Sequence, residues 1–143
     1  GVDIHDHVVL DGVVVDFVAL VVAGNPGVEL VEDNVRQAAV IDLAHSFGWR
    51  CAHFRAVRVQ AADGSVYWET PVAADGKGWL DLVLAKPQTD SRPGRLIYAE
   101  LKVKPNKPTA EQREWLALLN GAGQTACVWY PSDWESIVLE LSN

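Results

Sequence analysis

The chain has 143 residues, of which 49% are hydrophobic and 22% charged, a composition that fits one compact folded domain and excludes a disordered chain. The longest apolar stretch, 13–23, is interrupted by Asp16 and is too short to cross a bilayer. The formal net charge of −7 argues at first sight against a nucleic-acid binder. No leader pattern opens the chain, so a cytoplasmic protein is expected. Cys51 and Cys127 are too few for a disulfide framework and lack metal-site spacing, and read as buried thiols in a reducing compartment.

The charge is unevenly placed. Residues 1–33 hold seven acids (Asp3, Asp6, Asp11, Asp16, Glu29, Glu32 and Asp33) and no Lys or Arg. Residues 34–113 hold 12 basic against 8 acidic residues, and 114–143 hold only four acids. An acidic, Val-rich arm at 1–27 therefore precedes a body with a modestly basic middle at 28–143.

In chain order, "VVLDGVVVDFV" places Asp11-Gly12 between two β-branched runs and predicts a hairpin with a two-residue turn, with a short helix over 13–22 as the alternative. "GNPG" at 24–27 marks a boundary. Residues 33–47 predict an amphipathic helix with Val35, Ala38, Ala39, Leu43 and Phe47 on its apolar face and Gly48 as its stop. Cys51 to Gln60 alternates as one strand, 62–64 is a turn, and Val66 to Trp68 is the returning strand. Trp79 to Ala85 and Arg95 to Val103 read as further strands. Thr109 and Gln112 fit a capping box opening a helix whose stripe is Trp115, Leu118, Leu119 and Ala122. A strand at Thr125 to Tyr130 follows, and Ser132 with Glu135 fits a second capping box opening a last helix to about Leu141. This order predicts an α/β domain, a mixed β-sheet flanked by helices. Of the six Trp, Trp49, Trp79, Trp115 and Trp129 fall on apolar positions and are expected in the core. Trp68 and Trp134 are candidates for exposed base-stacking residues.

Three polar residues stand inside apolar strands. Asp81 lies in "WLDLVLA", and Glu100 and Lys102, two apart and so on one strand face, lie in "LIYAELKVK". Burying a carboxylate is costly unless it is paired or bound to a cation. If the two strands pair, two carboxylates and an ammonium converge, a set suited to Mg²⁺- or Mn²⁺-assisted phosphodiester hydrolysis. The plainer reading is a Glu–Lys pair with an Asp at a strand end. His5 and His7 offer a weaker metal pair, more simply read as a terminal segment.

The motifs "GW…HFR", "DGKGWLDLVL", "AELK", "EQREWL" and "VWYPSDW" follow one another in order between about Glu32 and Ile137. In this the chain resembles the VRR-NUC branch of the PD-(D/E)XK nucleases, often stand-alone bacterial or phage proteins. The resemblance implies a restriction-endonuclease-like fold and a metal-dependent DNA endonuclease selective for branched, flap or junction structures, in a bacterial or phage-infected cytoplasm. It implies Asp81 and Glu100 as metal ligands with the Leu101 carbonyl, Lys102 as the catalytic lysine, and Gln112 aimed at the site. It also implies an acid near the start of the first helix, Asp33 or Glu32, although Asp33 equally reads as an N-cap. His53 and Arg55 would approach phosphate or the site, with Lys77, Lys104 and Lys107 as further DNA-facing cations; His53 reads equally as a core histidine. Leu80 stands where the motif has Pro. The arm lies outside the family pattern, and a homodimer built on it is expected. The alternative function is a non-catalytic nucleic-acid-binding or phage-assembly module on the same fold.

Overall fold

The computed structural model describes residues 7–10, 13–16 and 29–143, with side chains from Gln37 onward. Strands β1 (His7–Leu10) and β2 (Val13–Asp16) pair antiparallel with Leu10 opposite Val13, the register of the expected hairpin. The helical alternative does not hold over Val13–Asp16. The rest of the arm, including His5 and the GNPG boundary, lies outside the described residues.

Helix α1 (Glu29–Ser46) starts four residues earlier than the sequence pattern predicts. Glu32 and Asp33 are therefore inside the helix, so Asp33 is not its N-cap. Gly48, at φ +87, follows the last turn. The buried face is Val40, Leu43 and Ala44, with Ala39 and Phe47 packed at its margin, while Ala38 is exposed.

The segment read as one strand from Cys51 to Gln60 is two. β3 (Arg50–His53) ends where the Phe54 N–H donates to the Asp81 carbonyl at 2.8 Å, and the chain then leaves the sheet. β4 (Val57–Gln60) and β5 (Val66–Glu69) form a separate antiparallel hairpin. β6 (Leu82–Lys86) begins three residues later than expected, because Trp79 closes a turn onto the Gly76 carbonyl. β7 (Arg95–Leu101) stops two residues short of Val103.

Helix α2 (Ala110–Gly121) follows, then β8 (Thr125–Trp129), a 3₁₀ turn at Pro131–Asp133 and helix α3 (Trp134–Ser142). The second capping box does not form. The Asp133 carboxylate instead accepts from the Tyr130 N–H at 2.9 Å, and the helix starts at Trp134. Trp134 is buried and packs in the core, so it offers no stacking surface.

The main sheet runs β3-β6-β7-β8, with the first two pairings antiparallel and the last parallel. Pleating sorts its two faces. Leu82, Leu84, Ile97, Ala99 and Leu101 point to one face and close the core with α1 and α3. Tyr98 and Glu100 alternate to the other, where Trp79 stacks edge-on against Phe54, Tyr98 and Trp115 of α2. Trp49 and Trp129 are core residues as expected, but Trp79 and Trp115 are only half-buried, and Leu118 of the predicted α2 stripe is 60% exposed. The molecule is thus a mixed α/β sheet with helices on both faces. Both cysteines are free and half-buried, and burial pushes the Cys127 thiol up to about 12, leaving it protonated. No helix among the described residues is long and apolar enough to cross a membrane.

Candidate active site

The antiparallel pairing of β6 and β7 sets Leu82 opposite Ala99, which brings Asp81, just before β6, beside Glu100 and Leu101 at the end of β7. The Leu101 N–H donates to Asp81 Oδ2 at 2.9 Å, which fixes that carboxylate against the neighbouring strand. The strand face that carries Tyr98 carries Glu100 inward beneath α2, where it is only 3% exposed.

Glu100 is the centre of the group. Its Oε1 accepts from Gln112 Nε2 at 2.9 Å and lies 3.5 Å from Lys102 Nζ. Its Oε2 is buried and has no hydrogen-bond partner. The adjacent Asp81 carboxylate has no donor to offer when ionised, so a proton, a cation or a water must satisfy that oxygen. Burial first, and the Asp81 charge second, push Glu100 up to about 8; burial raises Asp81 as well. Two adjacent carboxylates offer hard oxygens of the kind that could hold Mg²⁺ or Mn²⁺.

Gln112 reaches this point because Thr109 caps α2. The Thr109 hydroxyl accepts from the Gln112 N–H at 3.2 Å, and Gln112 Oε1 accepts from the Thr109 N–H at 2.9 Å. The amide oxygen thereby closes the capping box and turns the amide nitrogen toward Glu100, so the two readings of Gln112 hold together. Gly78, at φ +81, lets the preceding loop pass against the same turn of α2. A Cβ there would lie 2.5 Å from Glu111 Cβ and 2.8 Å from the Gln112 nitrogen.

His53 stands at the end of β3, opposite Leu82, and its Nε2 is buried without a partner. Its neighbour Arg55 is exposed beyond the strand and is not drawn into the group. Lys77 pairs with Glu111 at 3.3 Å on the surface, and Lys104 lies over the Tyr130 ring at 5.7 Å. Lys107 is exposed in the loop before α2. The side chains of Glu32 and Asp33 lie outside the described residues. Among the described residues, no group of three or more His, Cys, Asp or Glu side chains is arranged around one metal position. The pair Asp81 and Glu100 is what the sheet assembles.

Sequence reasoning missed the role of the Leu101 N–H, which clamps Asp81. No residue type signals a main-chain donor, and only the strand register reveals it. Comparisons with protein-family models, curated proteins and solved structures return no match.

Proposed function

We propose that this chain is a metal-dependent deoxyribonuclease that hydrolyses phosphodiester bonds in branched, flap or junction DNA, on a restriction-endonuclease-like fold. The observation that carries this reading is the convergence of Asp81, Glu100, Lys102 and Gln112, with one buried carboxylate oxygen unsatisfied. The resemblance to the VRR-NUC branch, carried in part by the same residues, also supports it.

Asp81 and Glu100 would hold the ion, with the Leu101 carbonyl between Glu100 and Lys102 as a third oxygen. A bound Mg²⁺ or Mn²⁺ would polarise the scissile phosphate and lower the pKa of a water. The rest of the work falls to the chain itself. The Leu101 N–H holds the Asp81 carboxylate in one orientation, and the Gln112 amide does the same for Glu100. Lys102 puts a cation beside Glu100, where it would offset the charge that builds as water attacks a phosphate. Deleting one such preorganised donor or cation costs roughly 10²–10³ in rate.

Incubation with flap, splayed and four-way DNA in Mn²⁺ tests the proposal. Cleavage that disappears in Asp81→Asn and Lys102→Ala, with the fold retained by circular dichroism, is the expected result. Equal cleavage by the parent and both variants would point to a contaminant and end the reading; binding without turnover would leave a nucleic-acid-binding module.

A further inference from the structure

Beside the carboxylate pair, a cleft of 520 Å³ opens between the β4–β5 hairpin and the first turn of α2. Tyr67, Trp68 and Thr70 line one side, and Trp79, Thr109 and Gln112 the other. Gln112 is shared: the side chain that walls the cleft also donates to Glu100, so the cleft ends one side chain away from the candidate reacting centre.

The hairpin is unusual in what it exposes. β4 and β5 pair only with each other. Every residue of β5 is exposed, including Tyr67 at 47% and Trp68 at 64%. Large aromatic faces are costly to leave in water; Tyr67 and Trp68 project to opposite faces of β5, and Trp68 shares its face with its exposed cross-strand partner Arg58. The cleft's own charged lining is mixed, Glu69 and Glu111 with Lys77 paired to Glu111, and other cations stand around it: Arg58 is exposed opposite Trp68 across the hairpin. Residues 102–113 hold Lys102, Lys104, Lys107 and Arg113 against Glu111 alone, and Lys104, Lys107 and Arg113 are exposed. Aromatic faces next to cations are how proteins hold unpaired nucleotides: bases stack on the rings and phosphates lie against the cations. A duplex keeps its bases stacked inside and offers this surface only its backbone.

We infer that the β4–β5 hairpin is a base-stacking platform, with Trp68 as the residue that receives an unpaired base of the DNA strand leading into the site. This rests on the nuclease reading, and it names the feature of the substrate that the chain selects, a single-stranded segment beside the scissile bond.

The test is a titration of labelled single-stranded DNA and of a blunt duplex of the same sequence in EDTA, with the parent chain, Trp68→Ala, Trp68→Phe and Leu139→Ala. Leu139 is as exposed as Trp68 but lies on α3, across the sheet, and serves as the control. Trp68→Ala is expected to weaken single-strand binding about tenfold to a hundredfold, the range of a lost base–aromatic stack. Trp68→Phe restores most of it, and Leu139→Ala matches the parent. Equal single-strand affinity in Trp68→Ala and the parent overturns the inference, as does a loss of the same size on the blunt duplex. A parent chain that self-associates through Trp68 and binds no oligonucleotide overturns it too. The nuclease reading fails separately: a parent chain that binds single strands through Trp68 but cleaves nothing in Mn²⁺ removes that reading and leaves the platform.

Discussion

Gln112 donates from Nε2 to Glu100 Oε1 at 2.9 Å while its Oε1 closes the cap of α2 on the Thr109 N–H. One side chain thus starts a helix and orients a carboxylate that the neighbouring sheet has buried. The coupling is directional. The capping bond fixes which end of the amide faces outward, and the end that remains is the only one that can donate to an acid.

Thr109→Ala and Gln112→Ala should therefore separate stability from activity. Both lose capping interactions and should cost about 1 kcal/mol in chemical denaturation. Gln112→Ala alone also removes the donor to Glu100, so its cleavage rate should fall at least about tenfold further than that of Thr109→Ala. Equal rates in the two variants would show that the amide acts only as a cap.

The metal-free fold should lose stability as pH rises. Glu100 is held up to about 8, and Asp81 is raised as well. An unfolded chain releases those protons at ordinary carboxylate pH. Between the two values the folded state binds more protons than the unfolded, so raising pH favours unfolding. Urea denaturation in EDTA is expected to show a decline on the order of a few kcal/mol from about pH 5 to about pH 8. Glu100→Gln should flatten most of it and raise the melting temperature at the alkaline end. A parent profile that rises over this range would mean that the acids are not buried as a pair.

Metal binding should run in the opposite sense. At neutral pH an incoming Mn²⁺ must displace the proton that Glu100 retains, so affinity should rise with pH up to about 8 and level off above it. Calorimetric titrations in buffers of different ionisation enthalpy would read the released proton directly. Asp81→Asn and Glu100→Gln should each abolish the binding heat, whereas Lys104→Ala should not.

Gly78→Ala is expected to be damaging out of proportion to its size. The position has φ +81, and the added methyl meets Glu111 and the Gln112 nitrogen. The strained backbone conformation costs about 1–2 kcal/mol on its own. The clash would shift the first turn of α2 and with it the Gln112 amide. Reduced stability accompanied by a loss of cleavage is expected, and normal cleavage would show that the loop can move without disturbing Gln112.

Much of the architecture was set by local chemistry that any reader of the residues can apply. The pairing of Leu10 with Val13, the Thr109–Gln112 cap and the stop of α1 before Gly48 follow from short-range preferences of Gly, Asp and Thr. The two isolated carboxylates in apolar strands were equally visible, because burying a charge needs a reason. The errors fell where partners distant in sequence decide. Cys51 to Gln60 alternates throughout, yet Val57–Gln60 leaves the main sheet to pair with β5. Trp134 is open to an exposed reading in the sequence but α3 buries it in the core, and Leu118 follows the helical period but stays exposed. Asp33, a plausible cap by type, sits inside a helix that began earlier. Register did the rest. Setting Leu82 opposite Ala99 is what puts Asp81 on the Leu101 N–H and beside Glu100, whose Oε2 is buried with no protein donor. The residue types are written in the sequence, but their meeting is a property of the sheet, because strand alignment is chosen by the whole buried face and not by the few polar residues it brings together.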